Sequence, residues 1–384
     1  MDRFRTKLQS NKQQRLAAGL WRQPNVAAPD LLNFCSNDYL SLRSHPAVIE
    51  AYQQGLARYG TGSGGSPLVS GYQQPHYELE QRLAEWLGRD AVVLLGSGYA
   101  ANHAVVSVLA EHDVSLLFDK RNHASMYDAC MASQAVMQRF NHNDMDSLCK
   151  RASRQSAGTC AIASEGVFSM DGDAVPLAQC VQTKASLSSQ HREVLLWLDD
   201  AHGLGVTGPG GRGVGGMTTA DEVNIISATF GKAFAMSGAF VAGDKDFIEA
   251  IWQSARHYIY STAFSAAQAM AISKVLDILQ TEPDHQQRLQ ANIEHFKQGL
   301  LQLGWRTPQN NLLLNHAIQP VLCYSNQRAL ALSQALRQQN ILCSAIRPPT
   351  VPPGRACLRF TLNSGHTREQ LDHVLDALGE SPHA

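Results

Sequence analysis

The 384-residue chain has no excess of either charge. Its 32 lysines and arginines stand against 33 aspartates and glutamates, a formal net charge of -1 at pH 7. A balance this close gives no general attraction to nucleic acid or to an acidic membrane. Long apolar runs are missing as well. No stretch approaches the roughly 20 residues that a spanning helix needs, and Met1-Asp-Arg-Phe-Arg-Thr-Lys7 lacks the apolar core of a signal peptide. Neither nucleic acid nor membrane is expected as a partner. The eight cysteines (35, 130, 149, 160, 180, 323, 343, 357) include no Cys-x-x-Cys pair, which argues against a zinc site or a disulfide framework. Several lie in apolar runs such as Val321-Leu-Cys323 and Ile341-Leu-Cys343 and read as reduced core residues of a cytoplasmic protein. Low-complexity tracts and internal repeats are absent. What remains is an ordinary globular composition, 44% hydrophobic and 17% charged, long enough for two domains and a large core.

The apolar pattern alternates between short runs and helical spacing. Residues 3–20 read as an amphipathic helix carrying Phe4, Leu8, Leu16 and Leu20. A short strand at 31–35 and a helix from His45 to Tyr59 follow. Strands are expected at 91–95, 115–118, 136–140, 160–163 and 194–198, with helices in the intervals. Apolar strands separated by helices indicate a mostly parallel sheet covered on both faces, an α/β architecture. Beyond Gly243 the pattern turns helical (246–257, 266–279, 285–303), and the end alternates strands (316–323, 341–346, 356–362) with helices (327–338, 368–378). The expected organisation is an N-terminal helix and segment over 1–44, a large domain over 45–285 and a smaller α/β domain over 286–384.

Two stretches, Gly60–Gly65 and Gly203–Gly208, match G-x-G-x-x-G. Neither follows a strand and opens a helix, so a dinucleotide fingerprint is excluded. Ala91–Leu95 instead runs through Gly96-Ser-Gly98 into Tyr99-Ala-Ala-Asn-His, a strand, short turn and helix start. This is either an ordinary connection or a phosphate cradle.

In parallel sheets functional groups gather at the C-terminal strand ends. Polar residues fall there: His123, Glu165, Asp199-Asp-Ala-His202, then Thr229 and Lys232. Lys232 stands among small and apolar residues in Ser227-Ala-Thr-Phe-Gly-Lys-Ala-Phe-Ala-Met-Ser-Gly238. It is either a buried structural lysine or an amine that desolvation pushes towards its neutral form, able to make a Schiff base and to act as a base. Asp199, Asp200 and His202 have no further ligands at familiar metal spacing. An aspartate at a strand end can instead keep a pyridine nitrogen protonated. With Lys232 for an aldehyde and the turn at Gly98–Tyr99 for a phosphate, these residues describe pyridoxal 5'-phosphate. His123 would stack on the ring or cap a helix. Arg359, alternating with apolar residues in Leu358-Arg-Phe-Thr-Leu362, either faces solvent or clamps a carboxylate.

Several motifs carry a resemblance: Asn33-Phe-Cys-Ser-Asn-Asp-Tyr-Leu40, Gly62-Ser-Gly-Gly-Ser66, Asn122-His-Ala-Ser125, Glu165-Gly-Val-Phe-Ser-Met-Asp-Gly172, Asp199-Asp-Ala-His-Gly203, Thr229-Phe-Gly-Lys232 and Arg347-Pro-Pro-Thr-Val-Pro352. The chain resembles, nearly end to end, the α-oxoamine synthases, pyridoxal-phosphate enzymes of fold type I related to aspartate aminotransferase. The last motif favours the branch that condenses L-alanine with a pimeloyl thioester, on coenzyme A or acyl carrier protein, in biotin biosynthesis. The resemblance implies a decarboxylative C-acyl transfer and a cytoplasmic homodimer with shared sites. It makes Lys232 the Schiff-base lysine, Asp199 the partner of the ring nitrogen, and His202 a neighbour of the ring's phenolic oxygen. His123 stacks on the ring and shares the catalytic work. Gly98 and Tyr99 supply phosphate-binding amides, Ser169 and Thr229 contact the cofactor, and Ser261 and Thr262 do so across the dimer. Arg359 holds the substrate carboxylate, with Asn37 and Thr350 along the substrate path. An acyl-recognising arginine near the first helix matches Arg22, beside Trp21, and Pro67 replaces a residue that is often arginine. A sister synthase using glycine or serine, and an aminotransferase, share the same catalytic residues.

Overall fold

The computed structural model describes residues 2–381 apart from 19, 25, 27–29, 156, 157, 307–314 and 349. Its contacts divide the chain into two units, Met1–Leu32 and Asn33–Ala384. The first unit holds one helix, Asp2–Ala17. Phe4, Leu8 and Leu16 are exposed and Leu20 lies beyond the helix end. The amphipathic stripe expected over 3–20 is therefore shorter than its pattern and not buried.

The second unit is built on a seven-stranded sheet. In chain order its strands are β1 (Ala91–Leu95), β2 (Ser115–Asp119), β3 (Met137–Phe140), β4 (Thr159–Glu165), β5 (Glu193–Asp199), β6 (Ile225–Thr229) and β7 (Ala239–Gly243). They lie in the order β1-β7-β6-β5-β4-β2-β3. All neighbouring pairs are parallel except those of β7, which runs against both β1 and β6. The sheet is thus mostly parallel, as the alternation implies. The reversed strand β7 was not expected from the sequence. It lets the chain double back straight after the Lys232 loop.

The central strands are buried on both faces. Cys160 to Glu165 of β4 and Leu196 to Asp199 of β5 are inaccessible or nearly so. Helices Gly98–Glu111, Ala124–Ser133 and Lys245–Ser254 pack together on one side and share a core with Phe118 and Trp197. Burying each such side chain contributes roughly 1.5–3 kcal/mol. A three-stranded antiparallel sheet follows towards the C-terminus: β8 (Ile318–Tyr324), β9 (Ser344–Ile346) and β10 (Ala356–Thr361), with β10 in the middle. The strand expected over 341–346 is broken at Cys343.

The second glycine-rich stretch has a packing reason. Asp200 is fully buried, and a Cβ at Gly166, Gly203 or Gly213 would stand 2.3, 2.0 or 2.2 Å from its carboxylate oxygens. The loop wraps a carboxylate that no larger residue would leave room for, while Gly215 N donates to Oδ2 at 2.8 Å. Burial pushes the Asp200 pKa up to about 7.

A second buried cluster fastens the segment after β4. His142 bonds Asp119 Oδ1 through Nδ1 at 3.0 Å and Asp173 Oδ2 through Nε2 at 2.7 Å. Burial alone would lower its pKa, but the two carboxylates outweigh that and raise it from 6.5 to about 9. A folded-state pKa above the unfolded one contributes stability that is fully present below the unfolded value and lost as pH rises through the folded value. The melting temperature is expected to fall between about pH 7 and pH 10, and H142N to flatten that fall while costing roughly 3 kcal/mol at neutral pH. Thermal unfolding across pH checks this. Equal slopes in both proteins would remove the imidazolium from the account.

Candidate active site

The C-terminal ends of β1, β2, β4, β5 and β6 lie on one edge of the sheet, and a cavity of about 310 Å³ opens there. Gly98, Tyr99, His123, Asp199, His202, Thr229 and Lys232 all line it. Parallel register sets Glu165 beside Asp199, and Asp199 beside Ser227.

Each side chain has a local reason for its place. Ser97 caps the helix Gly98–Glu111, its Oγ accepting from Ala100 N at 3.2 Å. That leaves the amides of Gly98 and Tyr99 without an acceptor among the described residues. His123 caps Ala124–Ser133 and accepts from Ser125 N, so the capping and functional readings of this histidine coexist. Thr229 Oγ1 donates to Gly238 O at 2.9 Å and accepts from Gly231 N at 3.1 Å, shaping the turn into Lys232.

Asp199 is the best-fastened group. Its Oδ2 accepts from Asn102 Nδ2 at 2.7 Å and its Oδ1 from Ala201 N at 3.1 Å. Asn102 also donates to Ser125 Oγ at 2.8 Å and accepts from Ser227 Oγ at 2.8 Å, and Ser227 Oγ accepts from Trp197 Nε1 at 3.0 Å. Ser125 Oγ in turn lies 2.8 Å from His123 Nδ1. Since Ser125 N also points at that nitrogen, Nδ1 is the acceptor and Nε2 carries the proton. Burial lowers the His123 pKa, and the neutral ring fits this assignment.

Lys232 makes no hydrogen bond or ion pair among the described residues. Desolvation lowers its pKa to about 8 against the pull of Asp199 and Glu165. Glu165, fully buried next to Asp199, is pushed well up by burial and then by that neighbouring charge. On the other flank, His202 Nδ1 lies 2.6 Å from Tyr39 Oη, and burial followed by the charge of Lys232 holds the imidazole well below its ordinary pKa.

Arg359 points inward from the middle strand β10 and is only 8% exposed, so the solvent-facing alternative is excluded. Its Nε donates to Ser169 O at 2.8 Å, Nη1 to Thr361 Oγ1 at 3.0 Å and Nη2 to Asn37 Oδ1 at 3.5 Å. All three acceptors are neutral. No carboxylate pairs with this guanidinium among the described residues, and of its five donors two stay available.

The other expected residues lie elsewhere. Ser169 and Thr350 line a separate cleft of about 1250 Å³, together with Lys120, Arg139, Arg151 and Arg355. Ser261 and Thr262 are exposed and line a small pocket near His76 and Glu80, away from Lys232 of the same chain. Arg22 and Trp21 are exposed in the first unit. Pro349, inside the Arg347–Pro352 motif, lies outside the described residues. Sequence reasoning missed Asn102, Ser125, Tyr39 and the perturbation of Glu165. Tyr39 and Glu165 stand inside quoted motifs, whereas Asn102 had only one signal, a polar residue in an Ala- and Val-rich helix.

Known proteins fit this geometry. The family model for aminotransferase class I and II matches residues 29–378. The 8-amino-7-oxononanoate synthase of Yersinia enterocolitica is 45% identical, over 94% of this chain and 91% of its own. A solved 8-amino-7-oxononanoate synthase from Francisella tularensis superposes with a TM-score of 0.76 at 28% identity, covering 91% of this chain and 96% of that one. A serine palmitoyltransferase from S. paucimobilis, solved with bound PLP, gives a TM-score of 0.87 at 27% identity over 97% and 96%. The chain belongs to the class I and II aminotransferase family of pyridoxal-phosphate proteins and, within it, to the 8-amino-7-oxononanoate synthases. It is an acyl-transferring enzyme that depends on pyridoxal phosphate.

The residues present fit that cofactor. Two unpaired amides at a helix N-terminus suit a phosphate. A carboxylate with one donor on each oxygen has a lone pair left for a ring N–H. An unpartnered amine of lowered pKa suits an aldehyde. Asn102→Ala removes the donor to Asp199 and strands Ser227, and it is expected to weaken pyridoxal-phosphate affinity roughly tenfold or more. Titrating the cofactor into the stripped variant and following fluorescence checks this. Unchanged affinity would mean that Asp199 needs no support from Asn102.

Proposed function

We propose that the enzyme condenses L-alanine with a pimeloyl thioester, giving 8-amino-7-oxononanoate, carbon dioxide and the free thiol carrier. The observation that carries this reading is the counterion-free Arg359 set near the unpartnered Lys232 and the well-held Asp199. Lys232 would hold the cofactor through its aldehyde, Asp199 through the ring nitrogen, and the Gly98 and Tyr99 amides through the phosphate. When bound, pyridoxal phosphate supplies an electron sink for the bonds broken at Cα.

The two available donors of Arg359 bind the alanine carboxylate, and Asn37, already bonded to that guanidinium, keeps it oriented. The freed Lys232 amine takes the Cα proton and later returns one to the product. A pKa of about 8 places it close to neutrality, where a base is both available and strong. His123 packs over the cavity with its proton on Nε2, and neutral His202, held by Tyr39, offers a hydrogen bond without a competing charge. A C–C bond forms at Cα as the thioester C–S bond breaks, and the alanine carboxyl leaves as carbon dioxide.

The wide cleft with Lys120, Arg139, Arg151 and Arg355 suits the phosphate-bearing arm of either coenzyme A or acyl carrier protein, with Thr350 on its wall. Arg22 serves acyl recognition in this reading. Two chains form a dimer in which Ser261 and Thr262 reach the partner's site; their exposure and their distance from Lys232 in the same chain favour this. All eight cysteines are free, which supports a cytoplasmic location.

Lys232→Ala is expected to lose thiol release from pimeloyl-CoA by roughly 10²–10⁴-fold or more, in an assay with L-alanine. The wild-type cofactor absorbance is expected to shift on adding L-alanine and not on adding glycine or serine. Near-normal turnover in the variant would sink the role of Lys232. A response to glycine or serine alone would move the substrate to that of a sister synthase.

A further inference from the structure

Away from the cavity at Lys232, the described residues bring together one group of three metal-ligating side chains: His45, Glu282 and His285. Their ligand atoms all lie within 4.8 Å of one another. They come from three helix ends. His45 caps Pro46–Tyr59, Glu282 caps the C-terminus of Ala266–Thr281, and His285 stands in the first turn of Asp284–Gln302.

Both imidazole Nε2 atoms stand 3.8 Å from the same oxygen, Glu282 Oε2. That is too long for a hydrogen bond. It is close to the spacing of ligands that share one ion, since bonds of about 2.0–2.2 Å at tetrahedral or wider angles separate two ligands by roughly 3.3–4 Å.

His285 is oriented from behind. Its Nδ1 lies 3.1 Å from the carbonyl oxygen of Leu40 and 3.1 Å from Arg288 Nη2. Leu40 is fully buried, so its carbonyl depends on this donor, whereas the guanidinium, in an exposed contact, has water. The proton therefore belongs on Nδ1, and the Nε2 lone pair faces Glu282. An N–H to a backbone carbonyl behind a free ring nitrogen is how ligating histidines are held. Burial, then the charge of Arg288, lowers the His285 pKa, which keeps that lone pair free at neutral pH.

We propose that His45, Glu282 and His285 form a binding site for one divalent transition-metal ion of the zinc class, with water completing the coordination. Two imidazoles and one carboxylate select such ions over magnesium or calcium. Two features hold the affinity to the order of micromolar. Ligation through Nε2 puts the His45 proton on Nδ1, an enclosed atom without a partner, and Arg288 stands close by. The ion would tie Pro46–Tyr59 to Asp284–Gln302. Through Leu40 it would also stiffen the segment carrying Asn37 and Tyr39, which bond Arg359 and His202.

The test uses the pyridoxal-phosphate-loaded enzyme and zinc chloride. Equilibrium dialysis with metal analysis is expected to find one zinc per chain with a dissociation constant on the order of micromolar. E282Q, a change at an exposed side chain, and H45Q should each weaken binding by about tenfold or more and leave metal-free thiol release unchanged. X-ray absorption at the zinc edge should show imidazole nitrogen and no sulfur. The proposal is overturned if no zinc is held at about 100 µM, if sulfur enters the shell, or if the folded double variant H45Q/E282Q binds as tightly as the wild type.

Discussion

A carboxylate at the end of a buried strand must find a donor for each oxygen, and the way Asp199 finds them sets the geometry of the whole site. One donor, Ala201 N, is local. The other, Asn102, comes from the helix whose first amides face the same cavity. Asn102 stands four residues after Gly98, one turn along the same helix face. A single side chain thus fixes the separation between the amides and the carboxylate. Ser227 and Trp197 then lock Asn102 to β6 and β5. Any change that shifts this helix moves both ends of the cofactor site together.

The charges around Asp199 follow from that fixed point. Parallel register puts Glu165 next to it, and two buried carboxylates side by side cannot both ionise cheaply. Glu165 is the one displaced upward, since no described donor reaches its Oε1, while Asp199 is bonded on both oxygens. With one carboxylate charged, the pull on Lys232 is too weak to offset its desolvation, and its pKa falls to about 8. The second aspartate of the pair, Asp200, has a different task. It organises the glycine-rich loop from below the sheet edge and stays out of the cavity.

Much of this was legible in the sequence because the signals were local. Ala91–Leu95, the Gly/Ser turn and the helix start read directly as strand, cap and exposed amides, and the structure matches them residue for residue. Lys232 and Asp199 announced themselves by polar character at the ends of apolar runs. What could not be read depends on neighbours distant in the chain. Strand β7, Ala-Phe-Val-Ala-Gly, has no alternation to mark it, and its reversed direction follows from the turn after Lys232. Asn102 is one amide in a helix, significant only because β5 and β6 present Asp199 and Ser227 to it. The glycines at 203 and 213 gave no hint that a buried carboxylate, contacted from three sides, was their reason. The apolar stripe of the first helix misled because periodicity reports amphipathicity and not what covers it.

Arg359 shows how the site can separate substrate from product. A buried guanidinium held only by a carbonyl, a hydroxyl and an amide is incompletely neutralised, so an arriving carboxylate gains a charge-assisted pair. In the proposed reaction that same carboxylate leaves as carbon dioxide. The pair therefore exists in the substrate complex and is gone in the product complex, and binding energy that holds alanine does not hold the amino ketone. Arg359 stabilises the ground state as well as the path to C–C bond formation, so it contributes to recognition more than to the rate of the final bond cleavage. The acceleration of that cleavage has to come from the other side of the cavity, where Asp199, fixed by Asn102, keeps its charge in place while Lys232 is free to move a proton.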